Sequence, residues 1–146
     1  MSVANNVYAM RQSLPTPKQW AAALLEAGFE VVLDSEFVWW EFEGFLPATY
    51  QGQEAGFELY VESVDANQLN KRERKHLQGR DTVVTLITHS DMREYVSSML
   101  AAAVLCALSD GLLAEGGETP FIAAPDAIDW ARDCEPEIVK LMQADG

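Results

Sequence analysis

The chain has 146 residues, 49% of them apolar, with four tryptophans, which suits one domain with its own core and excludes general disorder. Twenty-three acids against ten bases give a formal charge of −13. That balance argues against nonspecific nucleic-acid binding and against anionic membrane surfaces, and it favours a basic partner.

The segment 1–15 shows no sustained period and reads as a loose leader, with Val7, Tyr8, Met10 and Leu14 available for local packing. Met1 to Leu14 is polar and has no apolar signal core, so the chain is expected in the cytoplasm. Thr16, Pro17 and Gln19 form a T-x-x-Q capping box with proline at the first helical position. Trp20, Ala23, Leu24 and Ala27 then make the stripe of a helix over 17–27, which Gly28 ends.

The period then changes. Residues 29–33 (FEVVL) predict a short strand, and EFVWWEFE over 36–43 is strongly β-prone. Pro47 cannot donate to a ladder, so the stretch 44–50 is interrupted there or lies at an edge. Residues 51–55 have turn character. Phe57, Leu59 and Val61 alternate with Glu58, Tyr60 and Glu62, the pattern of a half-buried strand that pairs with 45–50 as a hairpin.

Residues 63–80 lack an apolar period and read as a basic loop. Within 71–80, Lys71, Arg72, Arg74, Lys75 and Arg80 are five of the ten bases, against one acid, Glu73. The rest of the chain is an acidic body, so charge is segregated. Residues 81–88 (DTVVTLIT) predict a strand. Ser90 to Gly111 predicts one long central helix, with Ser90 or Asp91 as cap and Gly111 supplying the left-handed stop. No charge occurs from Tyr95 through Ser109, so this helix belongs in the core. Its large residues should pack a sheet, while Ala101, Ala102 and Cys106 admit a neighbouring helix. A turn follows over 115–120, then a short extended piece at 121–123. A helix begins at Pro125, with Ile128, Trp130 and Ala131 inward and a restart or kink at Pro136. The order predicts an α+β fold: an antiparallel four- to five-stranded sheet with a long central helix and flanking helices mainly on one face. One domain spans 1–146.

Motifs for chemistry are missing from the sequence. His76 and His89 belong to no HxxxH or HExxH spacing, and Cys106 and Cys134 to no CxxC. There is no phosphate loop, dinucleotide fingerprint or nucleophile elbow. No catalytic residue, metal or cofactor is expected, and the chain reads as a non-enzyme. Acids and aromatics do coincide around the hairpin. Adjacent Trp39 and Trp40 in a strand face opposite ways, so one is expected to be exposed. Exposed aromatics ringed by carboxylates suit a hot spot for a basic protein. The residues singled out for that contact are Trp39, Trp40, Glu41, Glu43, Glu54 and Glu58.

The segments LPTPKQWAAALLEAGFEVVLD and GFLPATYQGQEAGFELYVE, with the later Ser109-Asp110-Gly111, resemble small acidic immunity proteins of interbacterial toxin systems of the polymorphic or type VI kind. The resemblance implies a binding protein that neutralises a cognate toxin by occluding its active or substrate-binding site. The alternative is a small homodimeric regulatory or housekeeping domain. Neither reading involves nucleic acid or a membrane.

Overall fold

The computed structural model describes residues 2–145, with side chains through residue 143. Met1 and Gly146 of the expected domain lie outside the described residues. In chain order the elements are β1 (Val3–Ala9), α1 (Pro17–Glu26), β2 (Val31–Leu33), β3 (Gly44–Leu46), β4 (Ala48–Tyr50), β5 (Gln53–Glu54), β6 (Phe57–Ser63), α2 (Lys71–Leu77), β7 (Thr82–Thr88), α3 (Met92–Leu108), β8 (Leu112–Ala114), β9 (Ile122–Ala123) and α4 (Ala124–Asp145). The fold is α+β. Six strands form one antiparallel sheet in the order β3-β6-β7-β1-β8-β9, and β2-β4-β5 form a second, smaller one.

The sheet is larger than the expected four or five strands because β1 and β8 belong to it. Residues 3–9 are not a loose leader: β1 pairs β7 along its whole length and β8 from Asn6 to Tyr8. Asn5, Val7 and Ala9 point inward and are buried, while Ala4, Asn6 and Tyr8 point out. An asparagine at an inward position masks the alternation. Asn5 is satisfied there because its Nδ2 donates to Ser98 Oγ (3.4 Å) and its Oδ1 accepts from the Gly116 N–H (2.9 Å).

α1 forms as its sequence dictates. Thr16 Oγ1 accepts from the Gln19 N–H, and the Gln19 side chain accepts from the Thr16 N–H. At the other end Gly28 takes φ +87, Gly28 N–H donates to Leu25 O, and Phe29 N–H donates to Leu24 O. These two bonds are the Schellman closure. They turn Phe29 back into the core, where it is 3% exposed.

α3 is enclosed all round. Every residue from Val96 to Cys106 is buried. The six-stranded sheet, the three-stranded sheet, α1 and α4 all contact it. The small residues set how closely these neighbours approach. Trp20 of α1 lies against Ala101, and its indole N–H donates to the Ala101 carbonyl at 2.9 Å. On another side Cys106 Sγ approaches Ile122 O of β9, and burial pushes its thiol up to about 12. The helix is capped by Asp91, not Ser90: Asp91 Oδ1 accepts from the N–H groups of Arg93 and Glu94. At its end Asp110, not Gly111, takes the left-handed conformation (φ 51), and Gly111 N–H donates to Cys106 O. Gly111 is needed for a different reason. A Cβ there would lie 2.9 Å from both Tyr8 O and Ser109 Oγ, where β8 leaves the helix beside β1.

The stretch 36–43 is not a strand. Residues Trp39–Glu41 form a single 3-10 turn. Trp39 turns inward instead of joining a ladder. It stacks on Trp20 (centroids 5.3 Å, 28°) and its N–H donates to Pro15 O at 2.7 Å. Pro47 divides 44–50 between the two sheets. β3 pairs β6 at the edge of the larger one, and β4 pairs β2 and β5 in the smaller. The hairpin expected between 45–50 and 57–62 is therefore only its first half. The basic loop contains α2, closed by an Asn70–Glu73 capping box. Only Leu77 of α2 is buried, so no apolar stripe announces this helix. α4 continues through Pro136 without a break.

Substituting Ala101→Leu forces a side chain between Trp20 and α3 and should destabilise the fold by about 1–3 kcal/mol, read as a lowered midpoint in urea unfolding. Gly111→Ala should also destabilise measurably, since the new methyl meets a backbone oxygen of β1.

Candidate functional site

The alternation along β6 sends Phe57 and Leu59 into the core and leaves Glu58, Tyr60 and Glu62 on the outer face of the six-stranded sheet. Across the edge, Phe45 pairs Glu58, and the chain leading into β3 carries Glu43, Phe42, Glu41 and Trp40 alongside Tyr60 and Glu62. These residues line a cleft of about 320 Å³. The edge therefore holds four carboxylates, Glu41, Glu43, Glu58 and Glu62, beside three aromatics, Trp40, Phe45 and Tyr60. Phe45 is 58% exposed and Trp40 38%.

Internal contacts order part of this edge. Tyr60 Oη donates to Glu58 Oε1 at 2.7 Å, and His89 Nε2 bonds the other oxygen of Glu58. His89 follows β7, so the pair ties the strand-to-helix junction to β6. The Tyr60 hydroxyl first, and His89 second, hold the Glu58 carboxyl below the ordinary glutamate range. The same bond raises the Tyr60 phenol. Arg11 lies over Trp40, its guanidinium 4.2 Å from the ring centroid. Its backbone N–H donates to Asp81 Oδ1. Trp40 thus presents a ring held flat by a cation rather than a free side chain.

Of the residues singled out in the sequence, Trp40, Glu41, Glu43 and Glu58 come together on this edge. Trp39 does not: it is 8% exposed, locked between Trp20 and Phe37, and cannot touch a partner. Glu54 does not either. It is exposed on β5 of the smaller sheet, opposite Thr49. Sequence reasoning passed over Tyr60, Glu62 and Phe45, although the period-two pattern already placed Tyr60 and Glu62 beside Glu58. The His89–Glu58 pair spans 31 positions and carries no local signal.

A second cavity, of about 660 Å³, lies where β1 begins and α3 starts, lined by His89, Asp91, Tyr95, Glu115 and Glu118 among others. Across it Tyr95 Oη donates to Glu115 Oε1 at 3.0 Å. Among the described residues no group of three or more His, Cys, Asp or Glu is placed to hold a metal ion. Ser90 follows His89 in sequence, and His89 Nε2 is bonded to the Glu58 carboxylate. No family model, curated protein or solved structure matches the chain.

The depressed Glu58 pKa has a defined consequence. Its contribution to stability is present above the unfolded glutamate pKa and is lost as pH falls through the lower folded value. In a carboxyl NMR titration Glu58 should titrate below the ordinary glutamate range. Tyr60→Phe should bring its midpoint back toward that range, since the hydrogen bond from the Tyr60 hydroxyl is then gone. An unmoved midpoint would assign the shift to His89 instead.

Proposed function

We propose that the protein is a non-enzymatic binding protein that neutralises a basic protein partner by docking it on the acidic edge formed by β3, β6 and the turn at Trp40. The observation that carries this reading is the conjunction at that edge: four carboxylates beside exposed or half-exposed Trp40, Phe45 and Tyr60. Lys and Arg of a partner would pair the carboxylates, while their aliphatic stems and neighbouring apolar groups cover the rings. The likeness to immunity proteins makes a toxin the natural partner. A toxin that acts on an anionic substrate carries a cationic site, and the row Glu41, Glu43, Glu58 and Glu62 can stand in for that substrate and occlude it. The net charge of −13 supports the same reading, because it steers a basic partner at long range. Among the described residues no helix is long and apolar enough to cross a membrane. We place the action in the cytoplasm of the cell that makes the protein.

The partner is isolated by cross-linking in the native cell and its affinity measured by calorimetry with purified components. The triple variant Glu41→Lys, Glu43→Lys, Glu62→Lys should weaken binding by at least about tenfold and slow association, with an unchanged melting curve. Trp40→Ala should weaken it by about 2 kcal/mol if the ring is an anchor. Unchanged affinity in the triple variant would put the site elsewhere, and an acidic partner would overturn the charge class.

A further inference from the structure

The outer face of the six-stranded sheet carries charge of both signs, and the strand order separates them. The acidic edge lies at β3 and β6. At the other side α2 lies beside β8, where Arg72 and His76 share a cleft with Leu112 and Phe121. Tyr8 points out from β1, Phe121 packs 5.7 Å from it, and the His76 ring of α2 lies 6.4 Å from Phe121. Leu112, opposite Tyr8 in the register, is covered in the same place and is only 9% exposed. On the β1–β8 half of the outer face α2 therefore stands across a cleft of about 750 Å³ from Leu112 and Phe121. The β3–β6–β7 half, with Phe45, Tyr60 and the outward Val83, Thr85 and Ile87, is left without a covering element.

α2 itself is an exposed cation. Lys71, Arg72, Arg74 and Lys75 are all exposed, and none has an ion-pair partner among the described residues. Arg74 spends one N–H on the Ala66 carbonyl. In a chain of net charge −13 this helix has counter-charges available, yet its own fold brings none to it.

We propose that the protein self-associates as a two-fold dimer in which α2 of each copy lies on the open β3–β6–β7 half of the other's outer face. Lys71, Arg72, Arg74 and Lys75 then meet Glu41, Glu43, Glu58 and Glu62. A two-fold axis parallel to the strands and lying between the two outer faces turns them toward each other and exchanges their halves, so a face that is basic on one side and acidic on the other is complementary to itself. That is the condition for a closed, isologous interface. The two α2 helices lie side by side in one layer between the two sheets, each about 10 Å thick, and neither sheet face is left bare. Three strands about 4.8 Å apart and at most about 23 Å long make the open half roughly 300 Å² per copy. Roughly 600 Å² over the two copies is below the range of stable specific interfaces, so the dimer is weak and exchangeable. The inference does not depend on who the basic partner is. It does share the acidic edge with that partner, so the two occupants exclude each other.

The test is sedimentation and light scattering at about 100 mM salt, where charges beyond ~10 Å are screened. Wild type should pass from monomer to dimer between micromolar and millimolar concentration, and about 500 mM salt should weaken the dimer by at least about tenfold. One variant carries Lys71→Glu, Arg72→Glu and Lys75→Glu; the other carries Glu41→Lys, Glu43→Lys and Glu62→Lys. Each alone should stay monomeric, because like charges now meet. Their equimolar mixture should form a dimer, since both contacts become attractive again. A wild type that is monomeric throughout, or a mixture that fails to associate, overturns the proposal. Assemblies larger than a dimer overturn the two-fold arrangement. Partner binding kept by the α2 variant separates a failed dimer from a failed partner site.

Discussion

An α-helix without a charge over four turns has no side it can give to water, and the architecture follows from that constraint. Val96 to Cys106 is buried without interruption, so covering elements must approach α3 from every direction. One sheet cannot do this. The chain meets the need with the larger sheet, the smaller sheet, α1 and α4 around one axis. Ala101, Ala102 and Ala103 let the covering elements come close, and the Trp20 indole fixes one of those distances by donating to the helix backbone. Trp39 then packs behind Trp20 and bonds to Pro15 O, so the entry to α1 and the 3-10 turn after β2 are held by the same pair of rings.

Because the core takes the inner face of the larger sheet, its outer face is the one turned to solvent. The period of two along β6 does the sorting. Phe57 and Leu59 go to α3, while Glu58, Tyr60 and Glu62 go outward. Pro47 sharpens the arrangement. It ends β3 after three residues and sends the chain into the other sheet, so the larger sheet stops at a short edge strand crowded with acids. A short, charged edge is poorly suited to strand-to-strand addition. Partners there must bind through side chains, which is where charge and aromatic rings matter.

What could be read from the sequence was what is local. The capping box and Schellman stop of α1 are written within 14 residues, the alternation of β6 within seven, and the uncharged run of α3 within 15; each formed as expected. What could not be read depended on distant partners. β1 looks like a leader because Asn5 sits at an inward position, and Ser98 and Gly116, 93 and 111 positions away, make that tolerable. Trp39 and Trp40 sit in a segment of high strand propensity, but the space beside Trp20 took Trp39 and no strand formed. α2 has no apolar stripe because it lies on the protein by one leucine and a cap. Trp40, Glu41 and Glu43 share one edge because neighbours in sequence stayed neighbours in space, and Glu58 joins them through the pairing of β3 with β6. Trp39 and Glu54 failed because propensity does not say which sheet, or which side of the core, a residue will join.

The shared edge gives the two proposed occupants unequal footing. Two copies of a chain at −13 repel one another at distances beyond the Debye length, about 8 Å at physiological ionic strength, and attract only once α2 and the acidic row are close. A basic partner is attracted at both ranges. It should therefore associate faster than a second copy does and, with comparable contact area, bind more tightly. The dimer then acts as a reversible cover. It shields Phe45 and Trp40 from nonspecific contact while the partner is absent, and it yields by mass action when the partner appears. Its cost to partner affinity is bounded by the dimer's own stability at the protein's concentration, which a small polar interface keeps low. The segregated charge serves both states: the acidic row defines the site, and α2 is a weak internal copy of what the site recognises.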